Sequence, residues 1–155
     1  MLQIKGMCLE DAKTIASWQY PAPYDVYNFS DWESMVAAGW AITIPEKRAG
    51  EFRTLWENGR LVAWFRLFRK PEDNKVFLGL GLAPVLCGQG KGISYVKMMV
   101  DYALAEKRAA LYLEVRDFNQ RAIRCYQAVG FREEARYKKD VLGNPCRMIR
   151  MVYSV

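Results

Sequence analysis

Histidine does not occur anywhere in the 155 residues of this chain. Its absence excludes catalytic triads built on histidine and metal sites with imidazole ligands. It also removes the side chain that most often acts as a general base near neutral pH. Any acid–base chemistry must therefore use carboxylates, tyrosine, lysine, cysteine or water.

Cysteine is scarce and scattered. The four cysteines are Cys8, Cys87, Cys125 and Cys146. No two of them form a C-x-x-C pair, so the spacing of metal and redox sites is missing and no metal is expected. We expect reduced thiols in a reducing compartment. The N-terminal residues do not have the layout of a signal peptide, and no apolar run approaches the ~20 residues that span a bilayer. These features predict a cytoplasmic protein without a membrane partner.

The composition is that of a globular protein, with 52% hydrophobic and 26% charged residues. The length predicts a single domain over residues 1–155.

The net charge of +6 favours anionic partners. The basic residues are densest at Arg116, Arg121, Arg124, Arg132, Arg136, Lys138 and Lys139. This group is either a solvated face or a contact for a cofactor with several phosphates. Nucleic acid is not expected, because the chain has no recognition-helix signature and no compact basic stripe.

Hydrophobic periodicity and turn signals predict an α+β, or mixed α/β, fold. An Asn58-Gly59 turn between two apolar runs is a strong hairpin signal, and Gly130 is placed to end a helix. The predicted strands cover residues 2–7, 40–44, 52–56, 61–68, 76–83, 110–115, 131–137 and 147–153, the last two around a turn at 143–145. The predicted helices cover residues 9–18, 30–38 (opened by a capping box at 30–33), 93–108 and the segment from Asn119 to Gly130.

A glycine-rich loop, residues 82–92, lies between the predicted strand 76–83 and a predicted helix. Gly88, Gly90 and Gly92 allow tight turns with positive φ. The first turn of a helix attracts phosphate through its N–H groups and its dipole. Lys91 is followed by Gly92 rather than by Ser or Thr, so this is no Walker loop, and the glycine spacing differs from the dinucleotide fingerprint. The loop is either a pyrophosphate cradle or a plain glycine-rich turn.

The segment 111–131 resembles a signature of the GNAT superfamily of N-acetyltransferases: an apolar strand, then Asn119, Tyr126 and the pair Gly130-Phe131. The loop Cys87–Gly92 resembles the acetyl-CoA motif of the same superfamily, Arg/Gln-x-x-Gly-x-Gly/Ala. The resemblance covers nearly the whole chain and is strongest over residues 78–131. It implies a central mixed sheet of about seven strands, mostly antiparallel, with helices on both faces.

The resemblance implies an acyltransferase that depends on acetyl-CoA. The acetyl group would pass by direct attack to a primary amine of a small molecule or a peptide. The alternative is a non-catalytic module that binds an acyl-CoA and regulates a partner. The assembly is left open, with a homodimer as one alternative.

The same resemblance assigns the cofactor contacts. The loop amides, with Gln89 and Lys91, would hold the pyrophosphate, and glycines at 79 and 81 would let the pantetheine arm approach the strand closely. The cofactor-binding residues are then Leu80, Leu82, Cys87, Gly88, Gln89, Gly90, Lys91, Gly92 and Asn119. Helix capping is the simpler role of Asn119. Cys87 stands where the family has Arg or Gln, either as a plain replacement or as a reactive thiol.

Two residues are candidates for catalysis. Tyr126 matches the family tyrosine that donates a proton to the leaving thiolate, and a phenol pKa of about 10 suits this role. A packed helical aromatic is its alternative. Glu114 shares a strand face with Tyr112 and Arg116. Its surroundings resemble those in ribosomal-protein N-terminal acetyltransferases, in which a glutamate deprotonates the amine through water. Its alternative is a structural ion pair with Arg116 or another cation.

Aromatic side chains crowd the N-terminal third of the chain. They are Trp18, Tyr20, Tyr24, Tyr27, Phe29, Trp32 and Trp40. The resemblance places the acceptor site near the N-terminal helices and the closing strands, so these rings either line an acceptor pocket or form core. No acidic run is present, which argues against polyamine acceptors.

Overall fold

The computed structural model describes residues 1–154 as seven strands and five α-helices. The strands are β1 Leu2–Gly6, β2 Phe52–Glu57, β3 Arg60–Phe68, β4 Val76–Leu82, β5 Leu111–Arg116, β6 Arg132–Val141 and β7 Asn144–Tyr153. The α-helices are α1 Leu9–Ala16, α2 Trp32–Ala38, α3 Pro45–Glu51, α4 Gly92–Lys107 and α5 Gln120–Val129. Short 3-10 helices cover Tyr24–Tyr27, Ala41–Thr43 and Pro84–Leu86.

The strands form a mixed sheet in the order β1-β2-β3-β4-β5-β7-β6. Only the β4–β5 pair is parallel among the pairings described within residues 1–154. The predicted mixed α/β fold with about seven mostly antiparallel strands is therefore confirmed. The chain divides into two compact units, and the prediction of a single domain stays a prediction. The first unit comprises Met1–Arg66 and Leu80–Cys87, and the second comprises Leu67–Gly79 and the chain from Gly88 onward.

In the first unit, β1, β2 and the start of β3 form an antiparallel ladder. The turn of the predicted hairpin is confirmed: Asn58 and Gly59 both have positive φ, of 52° and 79°. Such values match the right-handed twist of the flanking strands, and they explain why the Asn-Gly pair is found here. The N-terminal ammonium of Met1 donates a 2.6 Å hydrogen bond to Asn58 Oδ1.

One buried cluster of the first unit lies where its short helices meet strands β2 and β3. Its buried residues are Met7, Ala12, Ile15, Met35, Ile42 and Phe52, against which Trp18, Phe29, Trp32, Trp40 and Trp64 pack. Helix α1 begins with a capping box in which Asp11 N donates to Cys8 Sγ and Cys8 N donates to Asp11 Oδ2. This cap satisfies two N–H groups that the helix itself leaves without a partner.

The strand predicted over residues 40–44 is wrong. Ala41–Thr43 is a 3-10 helix, and Pro45 is the first residue of helix α3. Proline fits this position because the first N–H of a helix has no intrahelical acceptor. The buried Arg48 of α3 donates a 2.8 Å hydrogen bond to Ile42 O, which ties the helix to the preceding turn. In α2 the cap is Asp31, which accepts from Ser34 N, rather than Ser30.

In the second unit, β4 pairs in parallel with β5 at Val76–Leu111 and Phe77–Tyr112. Strand β7 pairs antiparallel with both β5 and β6. The predicted turn at 143–145 lies one residue earlier. Leu142 and Gly143 make it, with φ of 51° and 83°, and Asn144 begins β7. Helices α4 and α5 fall where the sequence predicts them, with Asn119 and Gly130 as the caps of α5.

No helix within residues 1–154 combines the length and the apolar character needed to cross a membrane.

Candidate functional site

The glycine-rich loop enters helix α4 as predicted. Gly88 and Gly90 have φ of 76° and 75°, whereas Gly92 is the first residue of the helix and has no positive φ. Two of the three glycines therefore use the left-handed backbone that glycine allows. Helix α4 is 16 residues long, so its dipole is well developed at this end. The loop residues from Gly88 to Lys91 are exposed, which leaves their main chain accessible to a ligand.

A guanidinium group lies against this loop. A Cβ atom built on Gly88 would be only 3.1 Å from Nη1 of Arg121, which extends from the first turn of α5. Glycine at 88 thus makes room for a cation beside a helix N-terminus, an arrangement suited to a phosphate. In the sequence, Arg121 stood out only as one member of the basic group. Its position two residues after Asn119 is the signal that could have singled it out.

Asn119 is the N-cap of α5. Its Oδ1 accepts a 3.1 Å hydrogen bond from Ala122 N, and the residue is buried. The simpler role considered for Asn119 is thereby confirmed, since the side-chain oxygen satisfies an N–H of the first helical turn. A contact with coenzyme A stays a prediction for this residue.

Tyr126 lies in the middle of α5 and is half-buried. Its ring meets Phe131 edge-on, with ring centroids 6.0 Å apart, and Phe131 in turn meets Tyr153 at 5.5 Å. Gly130, between the helix and Phe131, has a φ of 127° and lies against the Tyr153 ring. The Gly-Phe pair of the motif therefore anchors the C-terminal end of the helix that carries Tyr126.

Glu114 of β5 has both carboxylate oxygens engaged. Oε1 accepts a 2.7 Å hydrogen bond from Lys139 Nζ, and Oε2 accepts a short one from Tyr137 Oη. Burial opposes ionisation of Glu114, but the hydrogen bonds from Lys139 and Tyr137, with the charges of Lys139 and Lys70, lower its pKa. Burial of the phenol, together with the hydrogen bond to Glu114, raises the pKa of Tyr137. The carboxylate is therefore ionised and the phenol neutral at neutral pH.

The ion-pair partner considered for Glu114 in the sequence was Arg116 or another cation. The structure shows Lys139 in that place. Arg116 Nη1 instead donates to the Sγ of the buried Cys146. No sequence pattern indicated Tyr137 as a partner of Glu114, and Lys139 stood out only as a member of the basic group.

A second network lies beside Glu114 on the same strands. Arg150, which faces Glu114 in the β5–β7 register, stacks over the Tyr112 ring at 3.9 Å. Its guanidinium also donates to Glu134 at 2.9 Å and to Asp73 at 3.4 Å. The carboxyl groups of Glu114, Asp73 and Glu134 therefore each face a basic side chain of the same unit. This pairing removes the acidic character that a polycationic ligand would need.

The end of β4 in the first unit lies against an indole ring, and the predicted approach of the pantetheine arm to this strand stays a prediction. A Cβ built on Gly81 would be 2.5 Å from Nε1 of Trp64, so the glycine makes room for this indole.

The hydroxyl of Tyr20 donates a 2.6 Å hydrogen bond to Leu82 O. Burial, with a smaller contribution from Cys87, raises the pKa of Tyr20. Cys87 is half-buried, and its Sγ donates to Ala83 O at 3.7 Å.

The predicted aromatic residues divide by environment. Trp18, Phe29, Trp32 and Trp40 pack against the buried cluster of the first unit, which supports the core interpretation for these four. The Tyr20 hydroxyl is hydrogen-bonded to the carbonyl oxygen of Leu82, and Tyr24 and Tyr27 lie in a 3-10 helix. An acceptor pocket lined by these rings stays a prediction.

Comparison with known folds supports the arrangement of strands and helices. A chimera of the spermidine N-acetyltransferase SpeG from Vibrio cholerae and hSSAT has a TM-score of 0.79 and 16% identity, over 99% of this chain and 95% of that chain. The ribosomal-protein-alanine N-acetyltransferase from Escherichia coli has a TM-score of 0.69 and 20% identity, over 100% and 94%. An acetyltransferase from Salmonella typhimurium, yncA, solved with its cofactor acetyl-CoA, has a TM-score of 0.70 and 15% identity, over 99% and 93%.

At these identities the likeness shows the fold alone. No match is found among curated protein sequences. The family model described as "Acetyltransferase (GNAT) family" matches residues 9–131, which is most of the chain and includes both the glycine-rich loop and Tyr126. The chain therefore belongs to the acetyltransferase (GNAT) family of acyltransferases, whose acetyl donor is acetyl-CoA, as the sequence predicted.

Proposed function

We propose that this chain transfers an acetyl group from acetyl-CoA to a primary amine of a small molecule or a peptide, by direct attack. The observation that carries the proposal is the loop Gly88–Gly92 at the start of α4 with Arg121 against it, in a chain matched by the family model over residues 9–131. The acetyl group of acetyl-CoA is a thioester and is therefore already activated for attack. What is left for the chain is to bind the cofactor's phosphates, to orient the amine and to move two protons.

The residues at the loop fit a pyrophosphate. The exposed amides from Gly88 to Lys91 and the dipole of α4 favour negative charge. The side chains of Gln89, Lys91 and Arg121 would add polar and cationic contacts. We propose that Leu80 and Leu82 contact the pantetheine arm through their main chain. Cys87 takes the place of a polar side chain in the family motif, and the loop amides would still bind the pyrophosphate.

We propose Tyr126 as the general acid. Its Oη would hold the proton that the departing sulfur takes, and the phenol would then recover a proton from water. The supporting features are its position in the family motif and its fixed ring, which Phe131 contacts edge-on. A fixed ring suits this role because a general acid must stay within hydrogen-bond reach of the atom it protonates.

We propose Glu114 as the group that receives the amine's proton through water. The lowered pKa keeps the carboxylate charged, so it attracts an ammonium group, but it also makes the carboxylate a weaker base. The paired carboxyl groups of Asp73 and Glu134 leave little net negative charge nearby. We therefore favour an acceptor with one positive charge, such as a peptide N-terminus or a monoamine, over a polyamine.

One observation favours the alternative of a non-catalytic acyl-CoA-binding module. Both oxygens of Glu114 are engaged by Tyr137 and Lys139, so the proposed base is hydrogen-bonded within the protein itself. In that case coenzyme A would bind and no amine would be acetylated.

The deciding experiment combines an amine panel with Tyr126→Phe. Release of coenzyme A is followed by chromatography, because the protein's own free cysteines would react with a thiol dye. We expect turnover with a peptide or monoamine. We also expect Tyr126→Phe to lower kcat about 100-fold, with coenzyme A affinity within about twofold of the parent.

Tyr153→Phe is the matched control, because Tyr153 contacts the same Phe131 ring and should keep full activity. Coenzyme A binding without turnover on a broad panel would support the module. Unchanged turnover in Tyr126→Phe would overturn the assignment of the acid.

A further inference from the structure

Lys139 presents to Glu114 the same chemical group as the proposed acceptor. Its Nζ is a primary ammonium 2.7 Å from Glu114 Oε1. Tyr137 and Lys139 lie two residues apart on β6, so both side chains extend from the same face of the strand. Tyr137 fixes one carboxylate oxygen while Lys139 covers the other.

We propose that Lys139 occupies the position of the acceptor ammonium on Glu114, and that an incoming amine must displace it. This proposal rests on the proposed function, because it takes Glu114 as the group that meets the acceptor. Lys139 is then a specificity-determining residue. It protects the carboxylate when no amine is present, and it competes with every amine that binds.

The exposures of the two side chains make displacement feasible. The Glu114 side chain is 17% exposed and held by Tyr137, whereas the Lys139 side chain is 46% exposed. A long, half-exposed lysine can move into water at little cost, because an ion pair of this kind contributes at most about 1 kcal/mol. The carboxylate itself stays in place.

Displacement also predicts a preference among amines. After the exchange, the Lys139 ammonium remains close to the bound acceptor, and Lys70 contributes further positive potential at Glu114. A second ammonium group on the acceptor would be repelled by these charges. We therefore infer that Lys139 disfavours diamines more than monoamines of the same length.

The test uses the full chain, Lys139→Met, Lys139→Arg and the control Lys138→Met. Methionine keeps an unbranched stem without the charge. Lys138 is an exposed neighbour on the opposite side of β6. KM and kcat are measured for butylamine and for 1,4-diaminobutane. We expect Lys139→Met to lower the KM of the diamine about fivefold and that of the monoamine about twofold, with kcat changed less than twofold. Lys138→Met should keep the parent KM values, and Lys139→Arg, which keeps the charge, should keep the preference for the monoamine.

A second measurement does not depend on turnover. Reductive methylation of Lys139 is followed by mass spectrometry relative to that of Lys138, with and without saturating diamine, because the ratio cancels the reagent that the free diamine consumes. We expect the amine to raise labelling of Lys139 and not of Lys138, and Glu114→Gln to raise it without any amine. KM values in Lys139→Met equal to those of the parent would overturn the proposal, as would labelling of Lys139 that no amine changes.

The two measurements keep the proposals apart. Displacement of Lys139 by an amine with no acetylation anywhere in the panel would refute the proposed function and leave the Lys139 site standing. Turnover that depends on Tyr126 but not on Lys139 would refute the site alone.

Discussion

Replacing Gly81 with alanine tests why a glycine stands at the end of β4. An added Cβ would lie 2.5 Å from Trp64 Nε1 and 3.1 Å from its Cε2. Ordinary contacts begin at 3.4 Å, so the indole would have to move by about 0.9 Å. It has little room to do so, because its ring packs on Phe29 and Phe52 with centroids 5.9 Å and 6.0 Å away.

We expect Gly81→Ala to lower the free energy of unfolding by about 2–3 kcal/mol, the upper part of the range for an overpacked site. For a chain of this size that corresponds to a fall in Tm of roughly 5–10 °C. Urea unfolding followed by tryptophan fluorescence measures the change. The matched control is Gly50→Ala, since a Cβ on Gly50 has no neighbour within 4 Å. It should be neutral or slightly stabilising within helix α3.

The cause is isolated by a double-mutant cycle with Trp64→Leu, because leucine has no atoms at the positions of the clashing Nε1 and Cε2. Alone, Trp64→Leu should cost about 2–3 kcal/mol through lost packing. In that background we expect Gly81→Ala to cost less than about 0.5 kcal/mol, which gives a coupling of at least about 1.5 kcal/mol between the two sites. Additive effects would refute the steric argument. A raised KM for acetyl-CoA in the stable double variant would instead support the close approach of pantetheine predicted from the sequence.

Three further changes test other parts of the structure. Gly130→Ala should destabilise by about 2–4 kcal/mol in urea unfolding, because an alanine would be strained at φ 127° and its Cβ would lie 2.9 Å from Tyr153 Cε2; a loss below about 1 kcal/mol would contradict this. Arg150→Met should cost about 1–2 kcal/mol, since Asp73 and Glu134 lose a partially buried guanidinium, whereas the exposed Arg147→Met should change stability by less than about 0.5 kcal/mol. The folded pKa of Glu114 lies below its ordinary value of 4.5, so its pairing stabilises the fold above that pH and is lost as the pH falls through the folded pKa. The loss of stability between neutral pH and pH 3 should therefore be smaller in Glu114→Gln, and an unchanged pH profile would show that the pairing contributes nothing.

Local features of the fold could be predicted from the sequence because short segments determine them. The hairpin at Asn58-Gly59, the caps of α5 and the loop into α4 each depend on residues within a few positions of one another. The strand over residues 40–44 was predicted wrongly, since the apolar residues there suit a strand, whereas Ala41–Thr43 is a 3-10 helix. Helix α3, which begins at Pro45, was not predicted. The alternation of polar and apolar residues in this segment indicated neither the 3-10 helix nor helix α3.

The partners in the candidate site could not be predicted, because the register of distant strands determines them. Glu114 binds side chains 23 and 25 positions away, and Arg150 reaches Asp73 across 77 positions. The motif placed Glu114 and Tyr126 on the correct elements, but it carried no information about which cation would face the carboxylate. The same holds for Trp64, whose position opposite Gly81 follows from the packing of two strands rather than from any local pattern.

Strand β6 forms one end of the sheet, and its composition affects how the protein behaves at high concentration. Seven of its ten residues are charged, in the run REEARYKKDV, and most of the strand is exposed. An open strand edge can add a strand from a second molecule, and charged side chains along that edge discourage this. Neutralising substitutions on β6, including those that would free Glu114, therefore also remove a safeguard against aggregation. Light scattering of concentrated samples should accompany every kinetic measurement on such variants.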